Sequence, residues 1–117
     1  MSTMYTLRVR TQFEAAHCIP DHPGACSRLH GHRYEVEAEF TGRELDGLGM
    51  VVDFGDLKRA LAEVVPDHSY LNDVLPGPTT AEAIAEWLFG RLAERGLPVS
   101  AVTVWETADC ACRYSPQ

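Results

Sequence analysis

Two stretches of this chain alternate apolar and polar residues with a period of two, and the second opens on a pair of histidines in the apolar register. Residues 5–13 put Tyr5, Leu7, Val9 and Phe13 on one side and Thr6, Arg8, Arg10 and Gln12 on the other. Residues 33–40 set Tyr34, Val36, Ala38 and Phe40 against Arg33, Glu35, Glu37 and Glu39. Side chains on a strand point to alternate faces, so each stretch is a half-buried strand with one face committed to a core. The same parity carries His30 and His32 onto the apolar face of the second strand. Continued past Phe13 without a bulge, it carries His17 onto the apolar face of the first. The polar faces read most simply as a cross-strand ladder of Arg8 and Arg10 against the glutamates, each pair worth about 0.2–1 kcal/mol.

The remaining segments punctuate clearly. Pro20, Asp21, Pro23 and Gly24 make residues 18–29 a loop, and Gly42, Gly47 and Gly49 mark a turn after which Met50-Val51-Val52 is briefly extended. Asp53 can cap a helix carrying Phe54, Leu57, Leu61, Val64 and Val65 at helical spacing, ended by Pro66. A second helix opens at Thr79 or Thr80, where Thr79-x-x-Glu82 fits a capping box. It buries Ile84, Leu88 and Leu92 and stops at Gly96-Leu97-Pro98. Residues 101–107 and 110–114 read as two more strands. The order β-β-α-α-β-β predicts an α+β domain over 1–117, a four-stranded antiparallel sheet with two helices on one face.

Composition narrows the function classes. The 117 residues carry a net charge of −7, from 17 acidic against 10 basic residues, and the basic ones form no run. That balance argues against nucleic acid or an anionic membrane as partner. No apolar run reaches membrane-spanning length, and the first residues lack the basic and apolar regions of a signal peptide. The four cysteines form no CxxC pair, and Cys110 and Cys112 sit too close along a strand to bridge easily. We expect reduced thiols in a cytoplasmic protein.

His30-Gly31-His32 directs both imidazoles to one side of a strand, and His17 ends the neighbouring one. Three nitrogens on one face leave a metal one open position, as catalytic zinc sites do and closed structural sites do not. All-nitrogen ligation favours zinc and leaves nickel, cobalt or iron open. Cys26, in the loop just before His30, would have a lowered pKa beside a cation and could act as base or nucleophile. Otherwise it is a small inert hydrophobe. Asp67-His68 pairs a carboxylate with an imidazole whose tautomer it could fix for acid–base work, although Asp67 could equally be a simple cap. Glu106 shares parity with Val102 and Val104, and a carboxylate on an apolar face is costly unless paired. Two parallel N–H donors, such as the edge of a 2-amino-4-oxopyrimidine, would satisfy it in bidentate fashion. The plain alternative is a strand end that reaches water.

Phe13-Glu14-Ala15-Ala16-His17, Cys26-x-x-x-His30-Gly31-His32, Asp67-His68-x-x-Leu71-Asn72, Thr80-Ala81-Glu82 and Glu106-Thr107 fall in order over nearly the whole chain. Together they resemble the 6-pyruvoyl-tetrahydropterin synthase family, most of all its bacterial 6-carboxy-tetrahydropterin synthase branch, in which three residues also separate the cysteine from His-Gly-His. The resemblance implies a tunnelling fold whose sheets join into a hexameric barrel with active sites between subunits. It implies zinc held by His17, His30 and His32, a pterin ring anchored by Glu106 with Thr80 nearby, and proton transfer by Cys26, Asp67 and His68. In that scheme Cys26 faces the Asp67–His68 pair from a neighbouring subunit. The implied reaction takes 7,8-dihydroneopterin triphosphate to 6-carboxy-5,6,7,8-tetrahydropterin, acetaldehyde and triphosphate in queuosine biosynthesis. Arg28 is the one nominee for the triphosphate. Pro66 in place of leucine, Thr79 intervening after Pro78, and a short loop between His17 and Cys26 depart from the family pattern.

Two other readings compete. The same scaffold could make 6-pyruvoyl-tetrahydropterin or cleave dihydroneopterin to the hydroxymethyl pterin. A non-catalytic module is the third, with Cys26 as the fourth ligand of a structural zinc.

Overall fold

The computed structural model describes residues 3–116. The first alternating stretch forms β1, Tyr5–His17, and the second forms β2, His30–Gly42. They pair antiparallel along their whole length, from Tyr5 opposite Gly42 to His17 opposite His30. No bulge interrupts this ladder, so the parity argument holds to its end: Val9, Phe13, Ala15 and His17 are buried while Arg8, Arg10, Gln12 and Glu14 are exposed. The charged ladder forms with Glu37, whose carboxylate lies 3.9 Å from both Arg8 and Arg10. At that distance in solvent it contributes little. A stronger pair lies at the next rung, where Arg113 grips the buried Glu39 carboxylate through two N–H donors at 2.8 and 3.2 Å.

Helix α1, Phe54–Val64, starts where Asp53 Oδ1 accepts the Gly55 N–H at 2.7 Å. It turns Leu57, Ala60, Leu61 and Val64 inward and ends before Pro66. Helix α3, Ala81–Glu94, buries Ile84, Ala85, Leu88 and Leu92. Each such side chain withdrawn from water contributes about 1.5–3 kcal/mol. The helix terminates at Gly96, whose φ of 77° closes the last turn. Strands β4, Val99–Thr107, and β5, Cys110–Tyr114, complete the far side of the sheet. The core is a single cluster between the sheet and the helices, with Phe13, Tyr34, Phe40, Leu57 and Leu88 among its fully buried members.

Four expectations need correction. The sheet has five strands, in the order β3-β1-β2-β4-β5, and is mixed: β3, Ser69–Tyr70, runs parallel to β1 beside Ala15 and Ala16. There are three α-helices, because Leu71–Val74 makes one further turn, α2. The cap of α3 is Thr80, whose hydroxyl accepts the Ala83 N–H at 3.2 Å, and Thr79 is buried with its hydroxyl directed to the Cys18 carbonyl. Met50-Val51-Val52 turns and bends where an extended stretch was expected, because Asp46 draws the chain back by accepting from Leu48 and Met50.

Candidate active site

His17 and His30 are cross-strand partners at the end of the β1–β2 ladder, and His32 lies opposite Ala15 one rung in. Their rings stand edge-on, with centroids 4.5 Å apart for His17–His30, 5.3 Å for His17–His32 and 4.9 Å for His30–His32. One nitrogen from each comes within 4.8 Å of the others. The outer nitrogens are spoken for. His17 Nδ1 lies 2.8 Å from the Thr79 carbonyl and His30 Nδ1 lies 2.7 Å from the Arg28 carbonyl. A carbonyl only accepts, so both Nδ1 atoms carry the proton and both Nε2 atoms keep a lone pair. Among the described residues, His17 Nε2 and His32 Nε2 are buried without a hydrogen-bond partner. Burial holds the His17 pKa below its usual value, assisted by the neighbouring His30 and His32, while the Thr79 carbonyl and Glu106 pull the other way. Converging ring nitrogens, two of them buried and unpartnered among the described residues, fit a metal ion. The three histidines are the one such group among the described residues, and it includes no cysteine or carboxylate.

Glu106 lies on the same face. The β2–β4 register sets Glu35 opposite Trp105 and Val36 opposite Val104, and Glu106 follows where the β4–β5 pairing shifts register between Trp105 and Thr107. Its carboxylate stands 3.7 Å from His32 Nε2 and is partly exposed. It opens into a cavity of about 320 Å³ shared with Ile19, Thr80, Glu82, Cys110 and Cys112. The structure thus places Thr80 and Glu106 together, next to the histidines. A larger hollow of about 480 Å³ beside Trp87 and Arg91 holds none of the nominated residues. Size is therefore no guide to the chemistry here.

Asp67 and His68 do touch. Asp67 Oδ2 lies 2.9 Å from His68 Nδ1, while Oδ1 accepts the Glu14 N–H at 2.9 Å. The Glu14 amide, then His68, lowers the pKa of this carboxyl. His68 sits at a φ of 54°, a left-handed conformation uncommon outside glycine, and its own N–H reaches the Glu14 carbonyl. The pair therefore stands at the β1 edge on backbone bonds, with both side chains largely exposed.

Cys26 falls in a 3-10 turn, Ala25–Ser27, half-buried, and its carbonyl accepts the Ile19 N–H at 2.7 Å. Among the described residues, no hydrogen bond or ion pair joins its thiol to the histidines or to Asp67–His68. The Arg28 side chain is exposed, and its contact with the site is made by its carbonyl on His30.

Three contributors were not read from the sequence. Thr79 orients His17 through its carbonyl, which carries no side-chain signal. Asn72 clamps the backbone of Cys18, accepting from its N–H at 3.0 Å and donating to its carbonyl at 2.9 Å, which fixes the residue next to His17. Its place in the Asp67-His68-x-x-Leu71-Asn72 run was the available signal. Tyr34 is fully buried, and its hydroxyl has no hydrogen-bond partner among the described residues.

Known proteins are similar to this chain in sequence and in fold. The 6-carboxy-5,6,7,8-tetrahydropterin synthase of Synechocystis is 42% identical over 95% of this chain and 93% of its own. That of Haemophilus influenzae is 31% identical over 95% of this chain and 99% of its own. The fold matches the 6-pyruvoyl tetrahydropterin synthase of Caenorhabditis elegans with a TM-score of 0.87 at 23% identity, covering 99% of this chain and 98% of that one. The sequence pattern of the 6-pyruvoyl tetrahydropterin synthases spans residues 6–117, and the chain belongs to that family.

Proposed function

We propose that this protein converts 7,8-dihydroneopterin triphosphate and water to 6-carboxy-5,6,7,8-tetrahydropterin, acetaldehyde and triphosphate, as a zinc-dependent lyase supplying queuosine biosynthesis in the cytoplasm. The observation that carries the reading is the convergence of the three histidine nitrogens, two of them buried without a partner, next to an acid-lined cavity. Relatives that align over nearly their whole length bear the 6-carboxy-tetrahydropterin name.

In this reading His17, His30 and His32 would hold the ion, each through one ring nitrogen. A zinc ion held there would supply Lewis acidity toward the hydroxyls of the substrate side chain. Glu106 accepts the paired N–H donors of the pterin ring, and Thr80 borders the same cavity. Cys26 takes a carbon-bound proton and His68 returns one, with Asp67 holding the imidazole through Nδ1. Because no hydrogen bond or ion pair among the described residues joins the Cys26 thiol to the Asp67–His68 pair, we infer that they meet across a subunit boundary of a hexameric barrel. The sheet supports this: β3 covers β1 only at Ala15 and Ala16, leaving a long unpaired strand edge.

Incubation of the purified protein with dihydroneopterin triphosphate, followed by mass spectrometry, tests the assignment. Carboxy-tetrahydropterin with acetaldehyde is the expected result. A pyruvoyl or hydroxymethyl pterin without acetaldehyde would move the protein to another branch of the family.

A further inference from the structure

A hollow of about 400 Å³ opens beside His68, bordered also by Glu14, Ala16, Gly31, Arg33 and Ser69. The β1–β2 register explains its shape. Ala16 opposite Gly31 leaves one rung almost bare of side chain, and Glu14 opposite Arg33 walls the next. By strand parity these four residues belong to the polar face, whereas His17, His30 and His32 belong to the other. The hollow is a separate space from the cavity of Glu106 and Thr80, and it adjoins the Asp67–His68 pair. Its wall carries a guanidinium without a task. Arg33 is exposed, and among the described residues no ion pair joins it to Glu14 across the rung, although opposite charges so placed usually attract. Other arginines are engaged: Arg8 and Arg10 with Glu37, Arg113 with Glu39, Arg59 with Asp56, Arg95 with Glu63, and Arg91 over Trp87. Arg28 lends the site its carbonyl, and Arg43 follows the far end of the ladder.

A chain with a net charge of −7 repels a polyphosphate at long range, so binding one takes a local cation. Arginine suits the task, because its planar fork of N–H donors matches two phosphate oxygens at once. We propose that Arg33 is a positioning residue for the triphosphate group of the substrate, which lies over the bare Ala16–Gly31 rung beside His68. The Glu14 carboxylate opposes the same anion from the facing wall, so the phosphates keep to the Arg33 side. The triphosphate is thereby held with the acid–base pair, while the pterin ring and the hydroxyls of the side chain are left to Glu106 and the histidines. The identity of the substrate rests on the function proposed above, whereas the affinity of the hollow for a polyphosphate does not.

Two measurements test this. The first is calorimetric titration of inorganic triphosphate into the metal-free protein, where chelation of zinc cannot contribute. Arg33→Gln is expected to weaken binding by about tenfold or more, the worth of hydrogen bonds to a charged group, and Arg33→Lys to restore part of it. Glu14→Gln, which removes the opposing charge and keeps the backbone bonds, is expected to tighten binding. Arg43→Gln serves as the control and should bind as the parent does. The second is turnover by the zinc-loaded protein. Arg33→Gln should raise KM for dihydroneopterin triphosphate by about the same factor with kcat retained. Inhibition by dihydroneopterin lacking the triphosphate, and the zinc content, should stay as in the parent. Coincident titrations for the parent and Arg33→Gln overturn the proposal, as does equal weakening by Arg43→Gln. A fall in kcat at unchanged KM also overturns it, since the arginine would then serve the acid–base pair. Should the parent fail to turn over dihydroneopterin triphosphate, the pterin assignment falls and the titration alone decides the anion site.

Discussion

The Asp67 carboxylate joins two elements at once: one oxygen holds His68 Nδ1 at 2.9 Å and the other holds the Glu14 amide of β1 at 2.9 Å. The imidazole is thus referenced to the strand that ends at His17. Asp67→Asn keeps an acceptor for the Glu14 amide and removes the charge that orients the ring. We expect a folded protein with normal metal content and kcat lower by an order of magnitude or more, as for loss of an oriented acid–base group. Circular dichroism with steady-state kinetics checks this. Unchanged kcat would remove the pair from the mechanism.

Cys26 lies outside the three-histidine group, so its removal leaves the ligand set intact. Cys26→Ala is expected to bind zinc as the parent does while losing turnover by about 10²-fold or more. Parallel metal analysis and product assay measure both. Loss of metal and fold together would instead indicate a structural fourth ligand.

A metal held by the histidine cluster should stabilise the fold. Zinc at a hundred times its dissociation constant should raise the unfolding free energy by about 2.7 kcal/mol, and chelation should remove it. In His17→Ala this increment should largely vanish, because one of three nitrogens and the Thr79 anchor go together. Differential scanning calorimetry with and without chelator reads the difference directly.

Glu39 gives the fold an acid limit. Its pKa is lowered from 4.5 chiefly by the hydrogen bond from Arg113, against the opposing effect of burial. A depressed carboxyl contributes stability in full above its unfolded value and loses it as pH falls through the folded one. Below about pH 4.5 the parent should therefore weaken, and Glu39→Gln should start lower by about 1–3 kcal/mol at neutral pH and fall less steeply in acid. Urea midpoints at pH 7 and pH 3 give the comparison. Parallel acid slopes in the two proteins would exclude Glu39 as the group responsible.

Thr80 is both helix cap and cavity wall. Thr80→Ala should cost about 1 kcal/mol through the lost bond to the Ala83 amide, and Thr80→Ser should restore it. Denaturant midpoints for the two variants decide the point.

What could be read from the sequence was whatever a local period encodes. Alternation placed His17, His30 and His32 on one face because β1 and β2 pair without a bulge, so parity survives to the last rung. Glu106 was legible through its parity with Val102 and Val104, although the β4–β5 pairing shifts register beside it. Strand β3 was not, since two residues carry no period and Ser69–Tyr70 is held beside β1 by Asp67 and His68 bonding to Glu14, 53 and 54 positions earlier in the chain. The choice between Thr79 and Thr80 as cap was likewise settled at long range, by the Cys18 carbonyl that takes the Thr79 hydroxyl. The tautomers of His17 and His30 rest on backbone carbonyls, about which side-chain identity is silent.

The carbonyl that steers His17 belongs to the residue immediately ahead of the α3 cap. Imidazole and helix start are consequently one mechanical body, and a cation that stiffens the ring also stiffens the first turn of the helix. Amide hydrogens at Ala83 and Ile84, some distance along the chain from any ligand, should therefore exchange with solvent more slowly in the metal-loaded protein.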